Sequence, residues 1–389
     1  MEPTLALDAY RVNAALDWVY LLVRFKEPTT YRAVRGILTP HLDRVPYVRP
    51  VDHGRGSAGH IFNIEHHDPT ETTLNAITAA LAYRSDVDDG PRPIAMEVAV
   101  DFYPDDATDE SRQQMVGLLQ RHFLPLREAW VDPNGRPRTT ATARRVWGGR
   151  WTGRAASKSE RPPSTSRMLD KANRRQRQPW VDGTYYVGTK KADVMWRIQD
   201  KVGDERVGST FKALSAESRR ARIEVMLKGE VFEKLNIATI ADLKAFEFEK
   251  LAGRYFSFWL ATLPKQRVNA TDLLSIVNNR IRESYWQTFA EMGVLGVLRR
   301  DQEMLTVLAA SNKQQPSTRK LREPDGRPKV YQIGRASKEK DADGNQWRVG
   351  TEAHLMDYEA LSERVRHALG DLRLSKPPCR RATARRPAP

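Results

Sequence analysis

The chain has 389 residues, 40% of them hydrophobic and 29% charged, and its 64 Lys and Arg against 49 Asp and Glu give a net charge of +15. That length accommodates one large domain or two to three smaller ones with an ample core, and the charge calls for a polyanionic partner, either nucleic acid or an anionic membrane surface. A lone Cys379 excludes intrachain disulfides and cysteine metal clusters, no apolar run approaches the ~20 residues of a membrane span, and Met1-Glu2-Pro3-Thr4 lacks the basic start of a signal peptide, so a reduced, cytoplasmic protein without membrane attachment is expected.

Residues 18–25 are predicted as a strand, being rich in aromatic and β-branched residues. Residues 68–82 are predicted as a helix, with Pro69 in its first turn and Leu74, Ile77 and Leu81 at helical spacing. Residues 94–103 alternate Met96, Val98 and Val100 on one side with Glu97, Ala99 and Asp101 on the other, the period of a strand. Residues 111–123 form a second helix with Met115, Leu118, Leu119 and Phe123 as its apolar stripe. Strand, helix, strand, helix and a following hairpin indicate an α+β fold, an antiparallel sheet with helices on one face.

Residues 136–178 differ in composition, with thirteen Lys and Arg against Glu160 and Asp170 and a Pro162-Pro163-Ser164-Thr165-Ser166 centre. This is the composition of a basic insertion loop. Trp147, Trp151 and Trp180 sit among its arginines, as single-stranded nucleic acid binding requires, because rings stack on bases and guanidinium groups hold phosphates. Arg144, Arg145, Arg150, Arg174 and Arg175, with Trp147 and Trp151, are the candidate DNA contacts, and Lys190 and Lys191 join them from the turn that follows.

That turn separates Tyr185-Tyr186-Val187 from Trp196-Arg197-Ile198-Gln199-Asp200-Lys201, and a third charged strand follows at Arg220-Ala221-Arg222-Ile223-Glu224. Residues 238–310 read as helical, starting at a Thr239 cap and carrying Leu243, Phe246, Leu251, Tyr255 and Phe258. A polar linker at 311–326 leads to a small hairpin (329–333 with 346–350) and an amphipathic helix at 352–372. The expected domains are 15–235 with the insertion, 238–310, 327–372, and a disordered tail at 376–389 with five Lys and Arg and no acids.

The hairpin and its neighbours resemble the Rep-trans replication initiators of rolling-circle plasmids and the related relaxases of conjugative elements. Tyr186-Val187-Gly188 with Asp193 matches that family's Tyr-x-Gly-x-x-x-x-Asp turn. Arg197 to Lys201 matches its Arg-hydrophobic-Tyr-Asp/Asn-Lys motif, and Arg222-Ile223-Glu224 its Arg-hydrophobic-Glu strand. Upstream, Leu16 to Val23 looks like the opening strand and Ile94 to Tyr103 like the central acidic strand, so the resemblance covers roughly residues 15 to 260. Two positions depart from the pattern: Gln199 stands where the catalytic tyrosine usually is, and Asp204 replaces the trailing Glu. The resemblance implies the HUH-nickase-like fold, binding of a DNA origin in double- and single-stranded form, a host helicase as a further partner, and nicking of one strand with Mg²⁺ or Mn²⁺.

Nicking by transesterification needs a nucleophile, a divalent metal and a basic group on the phosphate. Glu97 and Asp101 share a strand face and Glu224 lies on another strand, an oxygen set suited to Mg²⁺ or Mn²⁺. If Val187 pairs with Val194, Tyr186 faces the same side as Arg197 and Gln199, whereas a one-residue slip brings Tyr185 there instead. Tyr186 is the preferred nucleophile, with Arg197 and Lys201 holding phosphate. The binding-only alternative, a non-cutting DNA-binding protein on the same fold, follows from Gln199, and an RNA-binding protein using the basic insertion is a third reading. His60, His66 and His67 lack the His-hydrophobic-His spacing of nickase metal strands and are expected in capping or surface roles. No Gly-x-x-x-x-Gly-Lys loop supports ATPase activity.

Overall fold

The computed structural model describes residues 5–42, 46–52, 58–82, 84, 86–129, 143–146, 166–168, 184–188, 191–207, 210–259, 284–285, 288–289, 293–298, 300 and 358–374, with backbone alone at 89, 143–146, 166–168, 204–207 and 210–213. In chain order the described elements are β1 (Tyr10–Thr29), α1 (Tyr31–Leu38), β2 (Tyr47–Pro50), β3 (Gly59–His67), α2 (Glu71–Ala82), β4 (Val87–Pro104) and α3 (Asp109–His122). Then come β5 (Ala143–Val146), β6 (Ser166–Met168), β7 (Thr184–Val187), β8 (Val194–Lys201), β9 (Gly203–Val207), β10 (Thr210–Ala213) and β11 (Arg220–Lys228). Three helices end the series: α4 (Gly229–Glu233), α5 (Ile240–Ala245) and α6 (Tyr358–Asp371).

The architecture is α+β, as expected. One sheet has the order β2-β3-β1-β4-β11-β8-β7-β5-β6, and β9 and β10 form a separate ribbon. The pairs β1/β3, β2/β3, β7/β8, β5/β7 and β5/β6 are antiparallel. No helix among the described residues is long and apolar enough to cross a membrane.

The chain divides into two compact units interleaved in sequence. The first comprises Met1–Val12, Asp101–Ile223 and Lys250–Arg366, and the second Asn13–Val100, Glu224–Glu249 and His367–Pro389. In the second unit, Val19, Leu21 and Val23 of β1, Phe62 and Ile64 of β3 and Met96 and Val98 of β4 are fully buried, together with Leu74, Ile77 and Leu81 of α2. Period two on the strands and period 3.6 on the helix put apolar groups where they meet. Helix α2 starts on a reciprocal cap, the Thr70 and Thr73 hydroxyls each accepting the other's backbone N–H at 3.2 and 2.9 Å. Helix α5 has a full capping box between Thr239 and Asp242.

In the first unit the core gathers Met115, Leu118 and Leu119 of α3 with Phe123, Trp196 and Ile198. The buried Trp196 indole donates to the Tyr255 carbonyl at 2.7 Å. Arg112 of α3, 2% exposed, binds Asp109 at 2.6 Å and also Asp200 of β8. The β7–β8 turn depends on Gly188, at φ +86°, where a Cβ would come within 2.8 Å of the Val194 carbonyl. His122 is fully buried; its Nδ1 lies 2.9 Å from the Trp259 carbonyl, and burial lowers its pKa to about 4.

The strands extend past their sequence-predicted ends, β1 over twenty residues rather than eight. The helical expectation for 238–310 is met only in part. Helix α5 ends at Phe246, whose ψ of 129° is extended, and a 3₁₀ turn at Phe248–Leu251 follows. Of the expected apolar stripe, Leu243, Leu251, Tyr255 and Phe258 are buried and Phe246 is half-buried, although the segment past Ala245 is irregular rather than one long helix. Helical residues recur between 284 and 300. The predicted hairpin at 329–350 and the tail at 376–389 lie outside the described residues.

Candidate metal centre

Asp17 of β1, Glu97 of β4 and Glu224 of β11 converge from three adjacent strands, each offering a carboxylate oxygen within 4.8 Å of the others. Glu97 and Glu224 are 2% and 1% exposed, and Asp17 is half-buried. At that separation two ionised carboxylates repel by at least about 3.5 kcal/mol at an effective dielectric of about 20. A divalent cation between them turns the repulsion into attraction. The donors are hard oxygens throughout, which fits Mg²⁺ or Mn²⁺ rather than a thiophilic ion.

The expected trio was Glu97, Asp101 and Glu224; the structure groups Asp17 with the two glutamates instead. Asp101 lies four residues beyond Glu97 on β4, about 13 Å at strand rise, too far to share one cation. Its carboxylate is engaged by Arg222 at 2.5 and 2.7 Å and by Arg220 Nε at 3.1 Å. The Tyr103 hydroxyl donates to it at 3.4 Å, and the Arg11 and Arg220 guanidinium carbons stand 4.7 and 5.7 Å from the Tyr103 ring centre. Same-face parity on a strand says which side a residue takes, not which partner claims it. Asp17 was in view as the one charged residue of the apolar run from Leu16 to Val23, a signal that could have found it.

A second polar group in the same unit was not expected. Across the β1–β3 ladder Tyr20 stands opposite Glu65, and its hydroxyl donates to Glu65 Oε2 at 2.9 Å. The other oxygen of Glu65 meets His67 Nε2 at 2.9 Å. The His67 contact is the main reason the Glu65 pKa is lowered. The Tyr20 pKa is pushed up to about 12, chiefly by burial and then by the Glu65 charge, with Glu97 adding to it. Arg49 of β2 lies over the Tyr20 ring at 5.6 Å. His66 is buried on the opposite face against the Thr73 hydroxyl at 2.8 Å, and His60 meets the Phe25 carbonyl at 3.1 Å.

The β7–β8 hairpin places Tyr186 directly opposite Arg197 and Thr184 opposite Gln199. Tyr186, Arg197, Gln199 and Lys201 therefore share one face by strand parity. Tyr185 pairs with Ile198 on the other face and is 3% exposed. On the far side of β7, Arg144 is the register partner of Tyr186 and Arg145 that of Tyr185. Lys191 is exposed in the turn. Trp147, Arg150, Trp151, Arg174, Arg175 and Lys190 lie outside the described residues.

No family model matches the chain, and no curated protein matches it. A solved structure, that of the rolling circle replication initiator protein from Geobacillus stearothermophilus, aligns with 70% of this chain and 97% of its own, at 12% sequence identity and a TM-score of 0.29.

Proposed function

We propose that the protein is a replication initiator or relaxase of a mobile element, which binds a DNA origin and nicks one strand through a tyrosyl linkage with a divalent metal. The observation that carries this reading is the convergence of Asp17, Glu97 and Glu224 from three neighbouring strands. Bound there, Mg²⁺ or Mn²⁺ would neutralise charge on the non-bridging oxygens of a phosphodiester. The net charge of +15 supports a polyanionic substrate. Arg197, opposite Tyr186, and Lys201 on the same strand face supply cations to orient a phosphate. Tyr186 is the nucleophile nominated by sequence, and it is more accessible than the buried Tyr185. The arginines and tryptophans of 136–178, with Lys190 and Lys191, are assigned to DNA contact, and a host helicase is the expected downstream partner.

A binding-only reading is favoured by one position: Gln199, which cannot attack phosphorus, shares the face of Tyr186 and Arg197. Incubation with supercoiled plasmid carrying the protein's own origin, with Mg²⁺ or Mn²⁺, decides between them. Nicked circles with covalently attached protein are expected. Retention of the plasmid without any nicking in either metal would establish the binding-only protein.

A further inference from the structure

Resting on the reading of the protein as a nickase, we infer that Tyr20, not a tyrosine of the β7–β8 hairpin, is the nucleophile, with Glu65 as its general base. An activated nucleophile is recognised by a base within hydrogen-bond reach, itself oriented by a third group. Tyr20, Glu65 and His67 meet that description with two contacts of 2.9 Å, in the same unit as the carboxylate trio. Asp17 of the carboxylate trio lies three residues from Tyr20 on the same strand.

The surroundings of Tyr20 suit a strand of DNA. Its ring is half-buried and stacked on Trp18 at 4.5 Å, which fixes the direction of the hydroxyl. Exposed Arg49 stands beside it as a phosphate ligand. Tyr47 of the edge strand, opposite Glu65, is 48% exposed and offers a ring for base stacking. In the step itself the Tyr20 oxygen forms a bond to phosphorus while its proton passes to Glu65. The bond from phosphorus to the 3′ oxygen breaks, and that oxygen leaves with the electron pair and takes a proton from solvent. The product is a 5′-phosphotyrosine and a free 3′ hydroxyl, with no oxidant or co-reactant consumed.

The test is to incubate the full-length protein with a labelled pool of random-sequence single-stranded oligonucleotides and Mn²⁺, digest with trypsin and map the adduct by mass spectrometry. Tyr20 is the only tyrosine of the tryptic peptide 12–24, whereas Tyr185 and Tyr186 share the peptide 178–190. An adduct on 12–24 is expected, lost in Tyr20→Phe, which keeps the ring and its stacking. Glu65→Gln should slow adduct formation on the order of 10²- to 10⁴-fold while leaving oligonucleotide binding unchanged. An adduct on 178–190, or full labelling of Tyr20→Phe, would overturn the assignment and leave the nickase reading standing. Absence of any adduct in the unaltered protein would remove both.

Discussion

Replacing Asp17 by Asn tests the carboxylate trio without relying on activity. The substitution keeps the shape of the side chain and removes one of three charges that lie within 4.8 Å of one another. Each ionised pair at that distance repels by at least about 3.5 kcal/mol at an effective dielectric of about 20, and relief of that repulsion favours a bound cation. If losing one carboxylate weakens the cation by about 2.7 kcal/mol, its affinity drops about a hundredfold. At a Mn²⁺ concentration about 100 times the dissociation constant of the unaltered protein, binding stabilises the fold by about 2.7 kcal/mol. The Asn variant, a hundredfold weaker, gains only about 0.4 kcal/mol under the same conditions. Urea unfolding followed by tryptophan fluorescence, with EDTA and with Mn²⁺, measures both gains. Equal stabilisation of the two proteins by Mn²⁺ would refute a centre that includes Asp17. Asp101→Asn is the matched control, and its metal-dependent gain should equal that of the unaltered protein, because Asp101 is held by Arg222 and Arg220.

Three further outcomes are expected. His122, with a folded-state pKa near 4 against 6.5 when exposed, binds fewer protons folded than unfolded between those values. Its contribution is therefore intact above pH 6.5 and lost as pH falls toward 4, about 2 kcal/mol by pH 5; urea midpoints should show this loss, and His122→Asn should remove it, so equal pH dependence in both proteins contradicts the argument. Arg222→Leu leaves the buried Asp101 short of its bidentate partner and should cost about 3 kcal/mol, part of it regained when Asp101→Asn is added; full additivity in a double-mutant cycle would show that the pair does not interact. DNA affinity should fall steeply with salt, and deleting residues 376–389, with their five Lys and Arg, should flatten the log–log slope by up to about 4.5; an unchanged slope would take the tail out of the interface.

What could be read from the chain alone was local. The apolar alternation of β4 and the helical stripes of α2 and α3 come from periods of two and 3.6, and those residues are fully buried where the pattern puts them. The face shared by Tyr186 and Arg197 was also readable, for an instructive reason. The expected pairing of Val187 with Val194 is displaced by two residues to Val187 with Trp196, and an even displacement leaves every side chain on its side of the sheet. The carboxylate trio was harder because it depends on three strands remote in sequence, and no local pattern encodes the register between them. Parity placed Asp101 with Glu97, but a guanidinium on the neighbouring strand holds it elsewhere. The Tyr20–Glu65–His67 group escaped notice for the same reason, since its two halves are 45 residues apart and meet only through the β1–β3 register.

Helix α6 is divided between the two compact units at residue 366. Within the first unit, Arg364 pairs with Asp8 and reaches the Tyr10 carbonyl. Within the second, the Leu374 carbonyl, just past the helix, accepts the Glu71 N–H at the start of α2. A ribosome releases these residues in order, so the contacts of Arg364 within the first unit can close before that of Leu374 within the second, although the helix that carries both is continuous.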